Sequence, residues 1–78
     1  MIQTDPITLL LAQLSTSTLR DVVLTMKFHV LELRKVEKNK NYTDKYTPEV
    51  VQNNTKVANY VIEAANKIVA RRTGAVSD

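Results

Sequence analysis

From Leu19 onward apolar side chains return at alternating intervals of four and three residues, as Leu19, Val23, Met26, Val30 and Leu33, with Val22 and Val36 widening the stripe. That alternation is the face of an α-helix packed at a shallow angle on another helix. A second series runs through Val50, Val57, Val61, Ala64 and Ile68. A third lies one residue over, as Val51, Ala58, Ile62, Ala65 and Val69, so the last helix is apolar on a broad arc. Near the start of the chain, Ile7, Leu10, Leu11 and Leu14 form a shorter helical face.

Sparse punctuation marks the ends of these segments. Asp5-Pro6 and Thr47-Pro48-Glu49 each join a capping side chain to a proline at the first helical position, where its missing N–H breaks no intrahelical bond. Thr18 followed by Asp21 imitates a capping box and puts the start of the middle helix near Ser17 or Thr18. Arg71 and Arg72 followed by Gly74 supply a stop, cations for the negative helix end and glycine for the left-handed cap. The predicted elements are a short helix over about 6–14, long helices over about 19–38 and 48–72, and tails that fray. At 1.5 Å per residue the long helices would run roughly 30 and 37 Å. The polar stretch between them is short enough to lay them side by side. The expected fold is all-α, an antiparallel helical hairpin plus a short N-terminal helix, in a single domain over 1–78.

Folding the hairpin about Thr43 and Asp44 sets Val36 against Val51, Val30 against Val57, Met26 against Val61, Val23 against Ala64 and Leu19 against Ile68. Leu33 then meets Asn54. A buried amide there would fix register at a cost in stability, whereas a slight rotation would release it to solvent. Two apolar surfaces are left over. One is Leu24, Phe28 and Leu31 on the outer side of the middle helix; the other is the groove of Val51, Ala58, Ile62, Ala65 and Val69. The short first helix can cover one of them, and the remainder is the candidate protein interface.

Composition narrows the chemistry. The 78 residues are 44% hydrophobic and 24% charged, within the range of chains that fold. With no cysteine and one histidine there is no disulfide framework, no thiolate nucleophile and no usual zinc site. No glycine-rich phosphate loop is present either, so no catalytic residues, cofactor or metal are expected. A small domain without staples commonly gains stability from association, which favours a homo-oligomer or docking on a larger protein. His29, beside Val22, Leu33 and Val36, reads as a half-buried side chain at the margin of the seam, and Glu63 and Lys67 are set for a surface ion pair.

A net charge of +3 permits an anionic partner. Arg34, Lys35, Lys38, Lys40 and Lys45 gather near the turn with Tyr42 and Tyr46, a set that could hold phosphates and stack on bases. Cations at a helix's carboxyl end also simply complement its dipole. The apolar run Leu9–Leu14 is too short to span a bilayer and no basic residue precedes it, so a cytoplasmic protein is expected, with export by a signal-free route left open. The leading expectation is a non-enzymatic protein that acts by helix packing. The alternatives are a small basic nucleic-acid-binding regulator, and an inhibitor or adaptor of a larger enzyme that uses the same apolar surface.

Overall fold

The computed structural model describes residues 5–74, and the fraying expected of the two tails concerns positions outside that range. Its helices are α1 (Pro6–Ala12), α2 (Thr16–Asn39) and α3 (Pro48–Thr73). Helices α2 and α3 form the antiparallel hairpin, and α1 lies against α3. Asp5 sits beside Tyr60 while Ala12 and Leu14 sit beside Arg72, so α1 runs parallel to α3.

Local chemistry sets each boundary. Asp5 and Thr47 cap α1 and α3 as their sequence indicates, accepting the N–H of Thr8 at 2.9 Å and of Val50 at 3.2 Å. Helix α2 starts earlier than Ser17 or Thr18. Ser15 is its cap, accepting the Thr18 N–H at 3.1 Å and donating to the Thr18 hydroxyl at 2.8 Å, so Thr18 is the capped residue and not the cap. Helix α1 stops at Ala12, short of Leu14, because the chain must reverse before Ser15. At the other end of α2, Lys40 adopts the left-handed conformation at φ 54°, and the N–H groups of Lys40 and Asn41 return to the carbonyls of Glu37 and Val36. That closure usually uses glycine. Thr43 and Tyr46 then exchange reciprocal backbone bonds of 3.1 Å across the turn.

The core consists of Leu11, Leu19, Val23, Val30, Leu33, Val51, Ala58, Ala65 and Ile68, with no buried polar side chain among the described residues. The α2 stripe is the expected one. On α3 the stripe is rotated. Val51, Ala58 and Ala65, spaced by seven, lie in the seam, whereas Val57 is 54% exposed. The pairing of Val30 with Val57 is therefore corrected: two alanines at heptad spacing let the helix axes come closer than a row of β-branched valines would. Rotation also leaves Asn54 half-buried instead of wholly enclosed. Part of the displaced stripe is used by α1, since Leu11 joins Leu19, Val23, Ala65 and Ile68 in one cluster, with Val61 and Ala64 packed against it.

Candidate interaction surface

The burial of Leu19, Val23, Val30 and Leu33 fixes the rotation of α2 about its axis, and residues about half a turn away must face outward. Leu24, Phe28 and Leu31 do so, at 54%, 60% and 51% exposure. They form the expected stripe at i, i+4 and i+7. Ile7, Leu9 and Leu10 of α1 and Val57 of α3 are further large apolar side chains left in solvent. A run of apolar side chains on one helix face is a candidate surface, whereas apolar side chains exposed singly are ordinary.

The second expected surface is corrected. Val51, Ala58 and Ala65 are enclosed by the hairpin itself and are not available to a partner, while Ile62 and Val69 are half-buried at its edge. Close helix approach consumes the small-residue trough that the sequence pattern alone leaves free. Of the groove, Ile62 stays accessible in a shallow recess with Lys27, Val30, Leu31, Arg34 and Asn59.

At the turn end, Arg34, Lys35, Lys38, Lys40, Tyr42, Lys45 and Tyr46 are all exposed. Lys35 lies 3.7 Å from Glu32 in a solvent-exposed pair, of the kind that contributes about 1 kcal/mol or less. Tyr46 borders a recess with His29, Glu32, Leu33 and Val36, so part of its ring rests on the domain. His29 is half-buried at the seam margin, and Glu63 and Lys67 pair at 3.3 Å.

Two long-range contacts have no local sequence signal. Arg72, which reads as a complement to its own helix dipole, reaches across to the end of α1, donating to the carbonyls of Leu14 at 2.7 Å and Ala12 at 2.8 Å. It satisfies carbonyls that α1 cannot pair internally. The Tyr60 hydroxyl donates to the Asp5 carboxylate at the opposite end of α1. That bond, followed by the Thr8 N–H, holds the Asp5 carboxyl below its ordinary 3.8, and donation to Asp5 pushes the Tyr60 hydroxyl above its ordinary 10.0.

The sign of the linkage differs at the two groups. A depressed carboxyl stabilises the fold above its ordinary value and loses that contribution as pH falls through the lower native one. A raised phenol stabilises it below its ordinary value and loses that contribution as pH rises through the higher native one. Docking of α1 should therefore weaken on both sides of the window from 3.8 to 10.0. Thermal unfolding followed across pH should show both limbs, and Tyr60→Phe should flatten the alkaline limb and shrink the acid one; a variant with the parent's profile would remove this contact from the account.

The fold defines a class, a helical hairpin buttressed by a short parallel helix. No protein-family model matches the chain, and neither a curated protein nor a solved structure matches it. Among the described residues no helix is long and apolar enough to cross a membrane, and no group of His, Asp and Glu is placed to hold a metal ion.

Proposed function

We propose that this protein is a non-enzymatic interaction module that acts by helix packing, through weak self-association or by docking on a larger protein, whether as adaptor, inhibitor or structural partner. The observation that carries this reading is the exposed Leu24, Phe28 and Leu31 stripe on the outer side of α2. Helix α1 lies against α3 and leaves that stripe open.

Magnitudes separate the two modes of association. Burying this stripe on a second copy would cover six half-exposed side chains at about 1 kcal/mol each. Association costs at least about 4 kcal/mol in lost freedom, so the stripe alone supports only a weak dimer. A tight complex needs a partner that covers more of the surface. The roughly 2 kcal/mol left over corresponds to a dissociation constant of tens of millimolar, so the mean mass in solution should rise only slightly above the monomer's at about 1 mM protein and further at higher concentration. Phe28→Asn with Leu31→Asn should return it to the monomer's 8.8 kDa with helical circular dichroism retained. An identical mass curve for parent and variant would count against the stripe. Salt-sensitive binding of a duplex oligonucleotide, abolished by removing Lys38, Lys40 and Lys45, would instead favour the nucleic-acid reading.

A further inference from the structure

We infer that the groove between α2 and α3, on the side away from α1, seats an acidic amphipathic helix of a partner protein. The inference rests on the interaction-module reading and names the chemistry of the partner. On α2, Arg20, Lys27 and Arg34 recur every seven residues; on α3, Gln52, Asn59 and Asn66 do the same. Lys27, Arg34 and Asn59 face one another across an open groove of about 380 Å³, with Val30, Leu31 and Ile62 also lining it. Heptad spacing places Arg20 on the same wall as Lys27 and Arg34, and Gln52 and Asn66 on the same wall as Asn59. One wall is thus a row of cations and the other a row of neutral amides.

The groove is distinct from the side that α1 occupies. Helix α1 lies over Tyr60, Ala64 and Ile68, and Ala64 is two residues from Ile62, which places it roughly opposite on α3. Among the described residues Arg20, Lys27 and Arg34 make no ion pair; the two pairs present are Lys35 with Glu32 and Lys67 with Glu63. Glu32 borders the His29 recess on the other flank of α2. Among the described residues the cation wall is therefore uncompensated by ion pairing.

Spacing and charge together select the occupant. Seven residues of helix advance about 10.5 Å, the interval at which a partner helix returns a carboxylate to one flank. Leu24 and Leu31 are also seven apart and border the cation row, offering an apolar strip to the same helix. A helix seated there would have an apolar stripe, carboxylates at heptad spacing toward α2, and neutral polar groups toward the amides of α3. A second copy of this chain fits poorly. Within its helices only Glu49 and Glu63 share a heptad position, Lys56 stands between them, and Glu63 is already held by Lys67 at 3.3 Å.

The test uses the full chain and a labelled synthetic helix of about three heptads, with leucine at the two core positions, glutamate on one flank and glutamine on the other. A control peptide of equal composition carries its glutamates on the outer face, and a duplex oligonucleotide is titrated in parallel. Fluorescence anisotropy should show the flank-glutamate peptide binding about tenfold more tightly than the control, the sum expected of three exposed ion pairs. Arg20→Gln, Lys27→Gln and Arg34→Gln together should remove that advantage, and Phe28→Asn should leave it intact. Equal binding of both peptides, no binding of either, indifference to the triple substitution, or binding of the oligonucleotide alone would overturn the inference. Phe28-dependent self-association would survive any of those results, so failure of the groove and failure of the stripe are read separately.

Discussion

Replacing Leu19 by alanine is expected to lower the unfolding free energy by about 3 kcal/mol, the usual scale for removing a leucine from a core that cannot collapse around the gap. Leu19 has no exposed surface and sits where the three helices meet, packed with Leu11, Val23, Ala65 and Ile68. A domain of this length has a total stability of roughly 4–12 kcal/mol, so the loss is a quarter of it or more. The melting temperature should fall by about 10–25 °C. Leu24→Ala is the matched comparison, since the same atoms leave an exposed site, and its effect should stay within about 0.5 kcal/mol. Urea unfolding followed by circular dichroism measures both. Equal losses at the two positions would mean that the rotation of α2 is not the one described.

That rotation is readable from the sequence because the four-three series of α2 runs unbroken from Leu19 to Leu33, whereas Leu24, Phe28 and Leu31 lie too far round the helix to join it. Both proline-marked starts were readable for a similar reason: Asp5-Pro6 and Thr47-Pro48 join two local preferences that agree. Helix α3 is different. Seven valines and isoleucines from Val50 to Val69 cover so much of its circumference that hydrophobicity alone cannot choose between neighbouring stripes. The choice depends on how closely the helices approach, a property of the pair, and Ala58 and Ala65 decide it. The left-handed turn at Lys40 was hidden because no glycine announces it. Arg72 and Tyr60 act on residues 55 or more positions away, and no local pattern encodes such contacts. The candidate surface divides along the same line. Leu24, Phe28 and Leu31 follow from the clear period of α2, whereas the trough on α3 inherited the ambiguity of its helix and proved to be the seam.

Ala58→Leu combined with Ala65→Leu should therefore destabilise the domain by about 2–6 kcal/mol, since each insertion into a packed interior typically costs about 1–3 kcal/mol. The two alanines are 2% and 0% exposed, so the added carbons have nowhere to go unless the helices separate or α3 turns. Val57→Leu, on the stripe first expected to face α2, enlarges a side chain in solvent and should be nearly neutral. The pair of experiments discriminates between the two rotations of α3, because a seam built on Val57 would reverse the order of the effects. It also reaches the groove. A turn of α3 that relieves the leucines by bringing the Val57 stripe into the seam carries Asn59 and Ile62 away from Lys27 and Arg34, with which they line the groove in the present packing. A double variant that stays helical should consequently lose its preference for an acidic-flank helix even with Arg20, Lys27 and Arg34 untouched. Preserved preference in a folded double variant would show that the cation row alone recognises the peptide and that the amide wall contributes nothing.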